Sequence, residues 1–163
     1  MGFDRPEDAQ KAALGSPLAT HMIRLDALQK YQPGTKVNAL LGPTQEFMFP
    51  VLVDGTTRSS ISMVLIKGSW RPASFGAPFL SRELVKVREA RGRDAEVAAP
   101  AMFLVKVPAL KVHFIAYRKD GGLFFASVVD DRRFGFKAGE AMPAEKAIEK
   151  MLPAARRHNG APG

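Results

Sequence analysis

Between Glu46 and Gly76 the apolar and polar positions alternate in a way that predicts three extended segments. Phe47, Phe49, Val51 and Val53 share one parity, and Met48, Pro50 and Leu52 the other. Successive side chains of a strand point to opposite faces, so the first set makes a continuous apolar stripe. Asp54-Gly55 follows, a pair suited to a tight hairpin because glycine tolerates positive φ. The return strand puts Ile61, Met63 and Leu65 on one face and Ser60, Ser62, Val64 and Ile66 on the other. It is polar near the turn and apolar on both faces by Ile66, a pattern expected of a strand half exposed at its start and buried further on. Gly68-Ser69 marks a second turn. Trp70 to Phe75 then returns as a short strand that Pro72 assigns to an edge or a bulge. Such an antiparallel meander has one apolar face and needs a cover.

Elsewhere the pattern alternates between helical and extended. Arg5 to Leu14 is expected to be a short helix, with Pro6 in its first turn and Gly15 as its stop. Thr20 to Leu25 reads as a strand, followed by a helix from Ala27 to Tyr31 capped by Asp26. Phe79 to Arg91 carries Leu80, Leu84 and Val87 on one helical stripe, and Gly92 to Pro100 is a polar, Ala-rich connector. Met102 to Val107, Leu110 to Tyr117 and Leu123 to Val129 read as strands, the last two joined at Asp120-Gly121-Gly122. Phe134, Phe136 and Lys137 add a short strand. Pro143 to Arg156 forms a last helix with Ala144, Ala147, Ile148, Met151 and Leu152 inward, which Pro153 should end or kink. His158 to Gly163 is expected to be a flexible tail. The fold expected is α+β: antiparallel sheet or sheets built from two halves, each a strand meander plus a helix, with the helices packed on one face. Residues 1–163 form a single domain on this reading. Its halves, 1–92 and 93–157, echo each other in element order, and 158–163 is the tail.

Composition narrows the function classes. With 163 residues, 46% of them hydrophobic, the chain can bury a core. No run approaches the roughly 18 apolar residues of a membrane span. The start, Met1-Gly2-Phe3-Asp4, lacks the basic-then-apolar pattern of a signal peptide, although a trimmed leader would leave the same start. A periplasmic or secreted location is favoured over the cytoplasm as an expectation. There are no cysteines, which excludes disulfides, thiolate catalysis and cysteine-based zinc sites. A net charge of +8 favours acidic partners, although the 24 basic residues are spread along the whole chain.

Candidate chemistry is sparse. His21, His113 and His158 are far apart and form no metal or triad spacing, so each reads as a structural or surface histidine. Ser59, Ser60 and Ser62 lie on a strand, not on a strand-to-helix elbow. Asp130-Asp131 is followed by Arg132-Arg133 and reads as a charged turn. Asp120-Gly121-Gly122 leads into a strand and so cannot cradle a phosphate at a helix start. No catalytic, cofactor-binding or metal residue is therefore assigned. The basic run Arg82, Lys86, Arg88, Arg91 and Arg93, with aromatics such as Phe124, Phe125, Phe134 and Phe136 on strands, raises single-stranded nucleic acid as one alternative. An enzyme using Asp, Glu or His in an unfamiliar arrangement is another. The favoured expectation is a non-enzymatic binding or accessory domain of a bacterial cell envelope that recognises a protein, a peptide or an acidic partner. Its surface would comprise Trp70, Arg71, Phe75, Arg82 and Lys86, and the edge beside Pro72 would accept an added strand.

The pattern "VLVDG … SSI … GSW … SFG" over Glu46 to Gly76 resembles small bacterial envelope modules of the PepSY and cystatin-like kind, which implies a helix packed across an antiparallel sheet. A roadblock or profilin-like element order fits the whole chain equally well. No family is assigned on these likenesses, and no residue role is carried over from them.

Overall fold

The computed structural model describes residues 4–159. Met1 to Phe3 and the last four residues of the expected tail lie outside them. The elements are β1 (Ala12–Leu14), β2 (Leu18–Met22), α1 (Leu25–Lys30), β3 (Glu46–Val53), β4 (Thr56–Ile66), β5 (Ser69–Gly76), α2 (Pro78–Ala95), β6 (Phe103–Val107), β7 (Val112–Lys119), β8 (Gly122–Ser127), β9 (Ala141–Pro143) and α3 (Ala144–Arg157). The fold is α+β, with one mostly antiparallel sheet in the order β5-β4-β3-β2-β6-β7-β8-β9, and β1 also on β3. The meander β3–β4–β5 walks outward to one edge and β6–β7–β8–β9 to the other. β2 joins them, antiparallel to β3 and parallel to β6.

Three two-residue turns set the registers. Asp54-Gly55, Lys67-Gly68 and Asp120-Gly121 each place both residues at positive φ, between 49° and 78°. That geometry matches the twist of the flanking strands. The second turn is thus Lys67-Gly68, one residue earlier than expected.

The helices do not share one face, which corrects the expected roof. Phe114 and Ile115 are neighbours on β7, and they belong to different cores. Phe114 packs with Val105, Phe125 and the inward residues of α1 and α3. Ile115 packs with Leu18, Met48, Leu104 and the α2 residues Leu84 and Val87. β7 and β8 are apolar on both faces, so each face needs its own cover.

Several expected elements are shifted. The Arg5 to Leu14 helix is instead a short 3₁₀ turn, Pro6–Ala9, followed by β1 paired to Val51, Leu52 and Val53. No residue of either segment is buried. A short helix without a buried stripe is marginal, whereas β3 offers backbone partners. α1 begins at Leu25 with Arg24 as its N-cap, and Asp26 sits in its first turn held by the Arg24 guanidinium. α2 runs through Gly92 to Ala95, so the connector shortens to residues 96–100. Gly92 is a close-approach position: a Cβ there would lie 3.3 Å from both the Met102 side chain and the Val97 carbonyl. α3 continues past Pro153 to Arg157 because Leu152 and Ala155, on either side of it, are buried in the core. The strand expected around Phe134 to Lys137 is a single bridge, Asp131 to Phe136.

Candidate functional site

The β3–β4–β5 meander has two unlike faces, and α2 covers the more polar of them. Met48 and Pro50 on β3 share a side with Ser60 and Ser62 on β4, as the pairings Met48–Ser62 and Pro50–Ser60 require. Met48 packs in the α2 core. The stripe that begins Phe47, Phe49, paired to Met63 and Ile61, faces the other way. α1 and α3 lie on that other side but pack over β6 to β9, so that among the described residues no α-helix covers the meander's apolar side. Trp70 is 46% exposed there, Phe75 66% and Leu14 60%. Trp70 meets Phe47 edge to face, with ring centroids 5.3 Å apart. Two apolar hollows lie on this surface. One, of about 360 Å³, is bounded by Pro17, Phe47, Phe49, Met63 and Trp70. The other, of about 410 Å³, is bounded by residues that include Leu14, Val51, Ile61 and Phe75. Beside them runs β5, which pairs with β4 alone among the described residues. Every β5 side chain from Ser69 to Phe75 is exposed. Pro72 sits at a bulge opposite Met63, where an edge tolerates a residue without an N–H.

The residues proposed from sequence as a partner surface are divided between two sides. Trp70 and Phe75 stand on the open apolar face. Arg71 pairs with Val64 and so points to the α2 side. Arg82 is exposed on α2, and Lys86 is tied to Glu83 at 3.3 Å. The basic run on α2 is broken further. Arg88 is buried and donates to the Ser16 carbonyl at 2.7 Å, and its burial lowers its pKa. Arg91 pairs with Asp94.

The histidines separate into two kinds. His21 Nδ1 donates to the Gly42 carbonyl at 2.7 Å, which leaves Nε2 to accept from the Thr44 hydroxyl at 2.8 Å. It is a satisfied structural histidine. The His113 ring has no hydrogen-bond partner among the described residues. Its burial, with a smaller contribution from Lys106, pulls its pKa below the usual range. Asp131 is held ionised by Arg133, whose guanidinium donates to it from both Nε and Nη2, so the charged turn forms as expected. Among the described residues no three His, Asp or Glu side chains gather to hold a metal ion.

On the covered face, a cavity of about 340 Å³ opens between the first turn of α2 and the sheet. Met48, Leu80, Leu84 and Leu104 supply its apolar wall, and Ser62, Lys106, Lys111 and His113 its polar points. Lys106 is paired to Glu46 at 2.6 Å, whereas Lys111 has no such partner among the described residues. Sequence reasoning did not gather these residues. The signal was there: Lys106 and His113 are lone polar residues inside apolar strands, and they are register partners across β6 and β7.

Set against family models, characterised proteins and solved structures, the chain matches none. The site is read from its own geometry.

Proposed function

We propose that this protein is a non-enzymatic binding module that takes an extended, acidic segment of a protein partner on the open side of the β3–β4–β5 meander. One observation carries the reading: among the described residues no α-helix lies over the apolar side of that meander, which presents Trp70 and Phe75. Contiguous apolar surface of this kind marks a docking site more often than a solvated face. Aromatic anchors seated in hollows are the usual energetic centre of such sites. The free edge of β5 supplies backbone donors and acceptors for an added strand, and alternate side chains of that strand would fall towards the two hollows. Lys67 and Arg71 flank the edge, and the net charge of +8 favours an acidic segment.

The single tryptophan makes the test direct. Peptides that alternate apolar and acidic residues, titrated against the protein, should shift Trp70 emission saturably to the blue. Phe75→Glu should remove the response. No saturable response from any such peptide, or saturation by single-stranded oligonucleotides in their place, overturns the reading.

A further inference from the structure

The meander has a second strand-accepting edge, on β3, and the chain's own segment before β2 already occupies it. We propose that residues 4–14 are a displaceable stand-in for an acidic segment of the partner, which takes the β3 edge from β1 and places a carboxylate on Arg58. The inference rests on the reading of the meander as a dock for extended acidic segments, and adds to it a contact on the edge away from β5.

The stand-in is weakly held. No residue from Asp4 to Pro17 is buried, and Leu18, 0% exposed, is the first that is. β1 pairs through its backbone with Val51–Val53. Gly15 donates to the Pro50 carbonyl at 2.7 Å, so antiparallel alternation makes Ala13 and Leu52 the next hydrogen-bonded pair. Two ion pairs add to this, Lys11 with Asp54 at 4.0 Å and Arg58 with Asp4 at 3.1 Å, all four side chains being exposed. Exposed pairs of this kind contribute little. A segment with so few buried contacts opens locally before the sheet does. The opening has a fixed limit. The buried Arg88 side chain donates to the Ser16 carbonyl at 2.7 Å and pins the chain just ahead of β2.

The segment also has the partner's character. Within it Asp4, Glu7 and Asp8 outnumber Arg5 and Lys11, in a chain of net charge +8. Arg58 shows that it fills the place of something else. This residue sits at the β3–β4 bulge, next to Ser59 and Ser60 of the hollow that Leu14 and Phe75 border. Asp4 meets its Nη1, while its Nε is buried with no acceptor among the described residues. A buried donor without an acceptor is costly. A guanidinium can take a carboxylate through Nε and Nη together, and Asp4 does not bind in that way. A partner carboxylate that does so gains a hydrogen bond that the closed form lacks, which drives the exchange.

The probe is a decapeptide that alternates Val and Asp, followed by amide hydrogen exchange on the full chain. The expected result is saturable loss of protection at Ala13 while Leu52 stays protected, because the peptide replaces β1 as its partner. Asp4→Asn should tighten the peptide about twofold by loosening the stand-in. Arg58→Gln loosens it too, yet should weaken the peptide about tenfold. A purely structural ion pair would move both variants the same way, which would overturn the inference. Ala12→Cys with Val53→Cys joins a non-hydrogen-bonded pair in a chain that has no other cysteine. The oxidised form should lose the peptide and the reduced form regain it. Equal binding by the two forms, or Ala13 still protected at saturation, overturns the stand-in. If Phe75→Glu abolishes binding in that case, the peptide reading survives alone. Release of β1 that Phe75→Glu leaves unchanged upholds the stand-in and overturns docking at β5, and no binding by any form overturns both.

Discussion

Phe47 and Trp70 meet edge to face across β4, their ring centroids 5.3 Å apart, on the part of the sheet that no α-helix covers among the described residues. Two large aromatics in mutual contact and still reached by solvent are poor core residues and good anchors. Phe75→Ser should change stability by no more than about 0.5 kcal/mol, as exposed substitutions do. Trp70→Ala should cost about 1 kcal/mol through loss of the ring pair. Either change should nonetheless abolish peptide binding on this face. Urea unfolding beside a peptide titration separates the two effects. A large loss of stability in Phe75→Ser would assign that residue to the core.

His113 links the covered cavity to pH. Its pKa is lowered in the fold by burial and, to a smaller extent, by Lys106; Lys111 also borders the cavity, and Glu46 faces it only through its pair with Lys106. Below its unfolded value of 6.5 the unfolded chain therefore binds a proton that the folded chain resists. Stability is at its full value above that pH and falls as the pH drops towards the folded pKa, by at most about 1.4 kcal/mol per unit. Urea midpoints between pH 5 and pH 8 should show this slope, and His113→Gln should flatten it.

Phe114 is 0% exposed and stacks on Phe125 with centroids 5.0 Å apart. Phe114→Ala should cost about 3–5 kcal/mol, the usual range for truncating a buried aromatic ring. Unfolding that remains cooperative with a much lower midpoint is the expected outcome. A loss below about 1 kcal/mol would mean that the core closes around the cavity.

Glu96 ends α2 in the left-handed region at φ 56°. Glycine takes that conformation without a Cβ clash, so Glu96→Gly should stabilise the protein by about 1 kcal/mol. The corresponding rise in Tm is about 2–4 °C for a chain of this size. A fall in Tm would show that the Glu96 side chain supplies more than the cap strain removes.

Much of the fold was legible because alternation and turn chemistry act over a few residues. The stripe of Phe47 and Phe49, the Asp54-Gly55 and Asp120-Gly121 turns and the inward residues of α3 are all local signals. The N-terminal segment was misread for the opposite reason. Ala12 to Leu14 has helical composition, but β3, far along the chain, supplies its hydrogen-bond partners. Gly92 reads as the start of the polar connector, but it lies inside α2, where a Cβ would crowd the Met102 side chain. Lys106 and His113 looked like isolated polar residues until the pairing of β6 with β7 set them side by side.

The α+β class, most of the strands between β3 and β8, the helices α2 and α3 and the existence of an apolar stripe on β3 follow from the amino acids taken a few at a time, because strand and helix periods need only near neighbours. Which side of the meander α2 would cover does not follow from them. That choice depends on β2 bridging the two meanders and on β7 and β8 demanding cover on both faces, so it rests on contacts between segments distant in sequence. The helix came down over the serines, and for that reason the aromatics are left facing outward and a mostly apolar cavity with a few polar points lies beneath α2.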